Sequence, residues 1–126
     1  MVFAKLAANV NLMPALKLPQ IFNETSIDFS SQPFLRSTEA LSEVLRNWLE
    51  WYPEKILFGT DAYSENTPLA NWEEKLWLTN RTARQALALA LTRMMTAGQI
   101  TRPHAEELAR MVLRDNAIKL YGLGRH

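Results

Sequence analysis

The chain of 126 residues contains no cysteine, which excludes disulfides and thiolate metal sites. A net charge of +1 leaves no excess of either sign to attract nucleic acid or an anionic membrane, so neither is an expected partner. No apolar run is long enough to span a bilayer. Residues Met1 to Val10 carry one lysine and a modest apolar face, without the separate charged and apolar regions of a signal peptide. These absences fit a cytoplasmic protein. Internal repeats and low-complexity tracts are also missing. What is present is ordinary globular material: 48% hydrophobic residues with four Trp and five Phe, enough to bury a core as one domain or as part of a larger one.

The most informative stretch is Lys55-Ile56-Leu57-Phe58-Gly59-Thr60-Asp61. A short, continuous apolar run fits a strand covered on both faces, as in a parallel sheet. Side chains alternate along a strand, so Leu57, Gly59 and Asp61 share one face and Ile56, Phe58 and Thr60 the other. Gly59 then leaves room beside Asp61. The C-terminal ends of parallel strands are where α/β folds place ligands and catalytic groups.

Around that strand the chain reads as α-β-α-β-α-α. Phe3, Leu6, Ala7, Val10 and Met13 recur at helical spacing and predict an amphipathic helix over Met1 to Met13. Pro14 and Pro19 bracket an irregular or extended connection from Ala15 to Asn23. Thr25 to Ser30 alternates, with Ile27 and Phe29 on one face and Ser26, Asp28 and Ser30 on the other, predicting a short strand. Ser37 is an N-cap with Glu39 in the first turn. Ala40, Leu41, Val44, Leu45, Trp48, Leu49 and Tyr52 form the apolar stripe of the following helix, which Pro53 closes. Strand, helix and strand in this order make a parallel βαβ unit. A polar loop runs from Ala62 to Ala70. Asn71 and Glu74 have capping-box spacing at the start of a long helix that ends near Ala97, before Gly98. Thr101 caps the last helix, with a break expected at Asp115-Asn116. Two strands are too few for an independent parallel sheet, so the chain is expected to belong to a larger α/β domain or to self-associate through uncovered strand edges.

Several of these segments resemble the amidohydrolase-related, metal-dependent hydrolases, which are TIM-barrel enzymes. They are Phe29-Ser30, Phe34-Leu35-Arg36-Ser37, the run from Trp51 to Asp61, and Asn116-Ala117-Ile118-Lys119-Leu120-Tyr121-Gly122-Leu123. The resemblance covers about Ser26 to Leu123. It implies a partial (β/α)8 barrel: the last two parallel strands with flanking and C-terminal helices. Residues 1–126 are then a single C-terminal portion, with 1–23 as a poorly matched lead-in and 24–126 as the matching part. It also implies hydrolysis of C–N or C–O bonds in a small carbonyl substrate, or a related decarboxylation, with a divalent metal, commonly zinc. Asp61 matches the aspartate that ends the eighth strand, which binds or faces the metal and takes the proton of the attacking water. The family's His-x-His pair on the first strand has no counterpart. The only histidines are His104 and His126, and a full barrel needs roughly 250 residues. The chain alone is therefore expected to be inactive and not to hold the metal tightly.

Each candidate also has a plainer reading. Asp61 fits a strand-end carboxylate that caps the next turn through backbone N–H groups. Asp28 and Ser30 share the direction of Asp61 if the strands are adjacent. A second carboxylate could serve acid/base chemistry, but a hydrogen-bonded polar layer is the simpler account. His104 and Glu107 have the spacing of a weak metal pair and equally that of a solvated helix start; His126 is terminal. Trp48, Trp51 and Tyr52 read as core, whereas Trp72 and Trp77 flank the loop after Asp61 and could line a pocket mouth. Arg81 and Arg84 read as solvated, and Met94-Met95 as core filler.

Overall fold

The computed structural model describes residues 3–4, 26–30, 33, 36–60 and 72–124. Expectations for residues 5–25, Phe34-Leu35, Asp61, the loop that follows it, the Asn71 cap and His126 lie outside these. Three short strands form a parallel sheet in the order β1 (Phe3–Ala4), β2 (Ser26–Asp28), β3 (Ile56–Leu57). Phe3 pairs with Ser26 and Ala4 with Ile27; Ile27 then pairs with Ile56 and Asp28 with Leu57. The helix expected from Met1 is therefore corrected at Phe3–Ala4, and the sheet has three strands rather than two. A two-residue strand is too short to show alternation, so the helical spacing of its apolar neighbours hides it.

Between β2 and β3 runs helix α1 (Thr38–Trp51). The Ser37 side chain accepts the Ala40 N–H at 3.2 Å, which satisfies one of the amides left open at a helix start. Leu41, Leu45, Trp48 and Leu49 are buried along its inner face, and Tyr52 is the C-cap. Trp51, counted with the core in the sequence, instead points to solvent at 65% exposure. Pro53–Lys55 makes one tight 3-10 turn into β3.

Helix α2 (Trp72–Thr96) is exposed through most of its first turns and buried beyond them. Thr79, Ala83, Ala86, Leu87, Ala90, Leu91 and Met94 fall three or four residues apart on its inner face. The alanines let α2 approach α1 closely. Gly98 ends the run at φ +71°, with Gly98 N–H donating to Met95 O and Gln99 N–H to Met94 O, a Schellman closure. Helix α3 (Arg102–Arg110) starts from Thr101 as N-cap. A π-helical turn, Met111–Asp115, joins it to α4 (Asn116–Tyr121), so the break expected at Asp115-Asn116 is a widened turn within a continuous helical segment.

One core joins these parts. Ile27, Phe29 and Ile56 on one sheet face pack with the inner faces of α1 and α2 and with Ala105, Leu108 and Val112. Arg93 of α2 fastens the outer side of this packing. Its guanidinium contacts Glu39 at 2.5 Å, Glu43 at 2.6 Å and the buried Ser42 hydroxyl at 3.0 Å, all on α1. The hydrogen bond with Glu39, chiefly, holds the Arg93 pKa above its ordinary value despite partial desolvation. No helix among the described residues is long and apolar enough to cross a membrane.

Candidate active site

The parallel register fixes which side chains meet on the sheet face away from the helices. Ser26 and Asp28 of β2, with Ser30 just beyond it, share that face with Leu57 and Gly59. Ser26, Ser30 and Leu57 are buried there, and Leu57 lies outside the helix-packed core. This face contains the carboxylate of Asp28. Ser30 addresses both of its oxygens: the backbone N–H donates to Oδ1 at 2.8 Å and the hydroxyl to Oδ2 at 3.0 Å. An Asp-x-Ser string in extended backbone puts the two side chains on one side of the strand, so the pairing is local and fixed by sequence. The hydrogen-bonded polar layer is the arrangement found.

Gly59 lies opposite this pair. A Cβ placed on it would come 2.8 Å from Ser30 Cβ and 3.0 Å from Asp28 Oδ1. The room left by the missing side chain is thus taken up by Ser30 and Asp28. Gly59→Ala is expected to destabilise the chain by about 1–3 kcal/mol, the usual cost of forcing extra atoms into a packed site. Ser30→Gly removes the closer of the two clashes and should recover part of that loss in a double-mutant cycle read by urea denaturation. Strict additivity of the two changes would show that the clash is not what makes Gly59 necessary.

Asp61 follows Gly59 by two residues and lies outside the described residues, so its partners are not placed. His104 sits in the first turn of α3 with its N–H on the Thr101 hydroxyl and Nδ1 3.1 Å from Glu107 Oε2, both side chains about half exposed. This is a solvated helix start. Trp77 is exposed, with the Arg81 guanidinium 5.1 Å from its ring centre. With Glu73, Leu76, Asn80, Arg81 and Arg84 it lines a surface hollow of about 480 Å³; Trp72 does not line it. Arg84 is exposed and donates to Asn80 at 2.7 Å.

Among the described residues no group of three or more His, Cys, Asp and Glu could hold a metal ion. Among the described residues the carboxylate on the site face is that of Asp28, and both its oxygens are engaged by Ser30. These residues do not by themselves fit a zinc site.

Sequence reasoning recognised Asn116 only as the first letter of a motif. Its buried side-chain amide donates to the carbonyls of Pro53 at 2.8 Å and Ile56 at 2.9 Å, tying the C-terminal helix to the start of β3. The signal was an asparagine inside an otherwise apolar helical string, a polar residue that needs a partner when buried.

Against this geometry, comparison with known families gives one result. The amidohydrolase family model matches residues 12–123, and the chain belongs to that family. The match includes α1, β3 and both C-terminal helices, and it begins inside the stretch that the sequence reading left as lead-in. No curated protein and no solved structure matches the chain.

Proposed function

We propose that the chain is the C-terminal part of an amidohydrolase-type barrel, with β2 and β3 as its last two strands, and that Asp61 is its contribution to the active site. The family is one of hydrolases; the reading here is hydrolysis of a C–N or C–O bond in a small carbonyl compound, or a related decarboxylation. The observation that carries it is the family match over residues 12–123, which includes β3 and the Phe58-Gly59-Thr60-Asp61 string that follows it in sequence. Asp61 stands two residues beyond Gly59 in sequence, and a carboxylate at the mouth of the barrel can accept the proton of an attacking water. Zinc is the metal this reading implies, with Asp61 as one of its ligands. The remaining ligands are expected from strands outside this chain.

The test is direct. The purified chain, loaded with zinc and passed through gel filtration, is expected to retain far less than one ion per chain and to hydrolyse no small ester, lactone or amide. One retained zinc per chain, together with hydrolysis that Asp61→Asn abolishes, would show that the chain assembles the site unaided and would overturn the proposal that it supplies only part of it.

A further inference from the structure

Arg84 and Arg93 stand about two and a half turns apart on α2 at 3.6 residues per turn, so their side chains leave the helix on opposite flanks. The Arg93 flank is the one that α1 covers. There Glu39 and Glu43, one turn apart on α1, both meet the guanidinium, and the Ser42 hydroxyl joins them. On the Arg84 flank lies a groove of about 400 Å³ between α2 and α3. It is lined by Leu87, Leu91 and Met95 of α2, by Ala105 and Ala109 of α3, and by Leu113 of the π-helical turn. On both sides these positions recur three or four residues apart, the spacing that receives the ridge of another helix. Arg102, which also lines the groove, is matched by Glu106 at 3.2 Å. Arg84 is not matched in this way: among the described residues its partner is the neutral side chain of Asn80, at 2.7 Å.

The helices of a (β/α)8 barrel form a ring around its strands, so each has a neighbour on both flanks. On the barrel reading, on which this inference rests, we propose that the groove seats a helix from the barrel's remaining part. The apolar stripe of that helix lies against Leu91, Met95 and Leu113. A carboxylate on it pairs with Arg84, as Glu39 and Glu43 pair with Arg93 on the other flank. Surface and charge both select this occupant: the groove is apolar along its length, and among the described residues no carboxylate answers Arg84. A helix turning lysine or arginine toward Arg84 is rejected by the same chemistry.

The chain has no cysteine, so a single introduced thiol reports on its own surroundings. Ala88, which lines the groove, and Gln85, which does not, are both exposed. In the full chain alone, Ala88→Cys and Gln85→Cys are expected to react with a maleimide at similar rates. In a working barrel of the family whose C-terminal part is replaced by this chain, Ala88→Cys should react at least about tenfold more slowly, read on the labelled peptide by mass spectrometry, while Gln85→Cys keeps its rate. Adding Arg84→Glu to that chimera is expected to return most of the lost reactivity. Slow labelling of Ala88→Cys in the chain alone would show the groove covered from within and overturn the proposal. An active chimera in which Ala88→Cys labels as fast as Gln85→Cys overturns the docking and leaves the barrel reading standing. A chimera that does not assemble into an active barrel counts against that reading, and the docking falls with it. Protection that survives Arg84→Glu overturns the carboxylate half.

Discussion

Asp61→Asn should lower kcat/KM by about 10²–10⁴-fold in a working barrel of this family whose C-terminal part is replaced by residues 12–126 of this chain. The substitution keeps the size and shape of the side chain and removes its capacity to accept a proton. The loss belongs to the chemical step if the chimera retains its fold and its affinity for a substrate analogue. Asp28 supplies the control. It lies on the sheet face of Leu57 and Gly59, and its two oxygens are held by the Ser30 N–H and hydroxyl. In Asp28→Asn the amide oxygen still accepts the backbone N–H and the amide nitrogen can donate to the hydroxyl, so the polar layer survives. That variant should cost less than about tenfold, the difference between holding a strand end in place and moving a proton. Equal losses in the two variants would remove the case for Asp61 as the reacting carboxylate, and an active chimera indifferent to Asp61→Asn would refute it outright.

How far the molecule could be read from its sequence depended on the range of the interaction involved. Helix α1 was legible because its determinants are local. Ser37 caps, the apolar stripe recurs every three or four residues, and Pro53 cannot continue the helix. The alternation through Ile27 and Phe29 placed β2 for the same reason, and the Asp-x-Ser pairing lies within three residues. The features that escaped are those made by residues distant in the chain. Phe3 and Ala4 become a strand only because Ser26 and Ile27 pair with them. Arg93 meets Glu39, Ser42 and Glu43 of α1, which lie 50 to 54 positions earlier. Gly59 was noticed for the space it leaves, but what fills that space sits on another strand. Asn116 was visible as a family letter, yet its two carbonyl partners lie 60 and 63 positions earlier. The same limit governs the site. Asp61 could be singled out by its place in sequence after a parallel strand, whereas the groups that would act with it in the proposed site are not marked by any local pattern.

The packing that holds this strand end in place makes the second large prediction. Phe29→Ala is expected to destabilise the chain by about 3–5 kcal/mol, the range for removing a buried aromatic ring. Phe29 is 1% exposed and sits where β2 meets the helix layer, with its ring edge-on to Phe58 at 5.8 Å and an interplanar angle of 68°. Truncation loses the transfer energy of the ring, leaves a cavity against Ile27, Ile56 and the helices, and removes an aromatic contact worth about 0.5–1.5 kcal/mol beyond its area. Domains of ordinary stability have only about 5–15 kcal/mol in total, so the variant should unfold at a much lower urea concentration, with an unchanged slope if unfolding stays two-state. Phe29→Leu keeps most of the volume and should cost less than about 1.5 kcal/mol if neighbouring side chains repack. The order of the two variants matters more than either value. Phe29 and Phe58 project to the helix side of the sheet, while Asp28, Ser30 and Gly59 project to the other. A graded loss from Leu to Ala means that helix packing seats the strands whose far face carries the polar layer. A loss under about 1 kcal/mol for Phe29→Ala would mean that the helices do not fix the sheet, and that the placement of Gly59 and of the strand leading to Asp61 rests on something else.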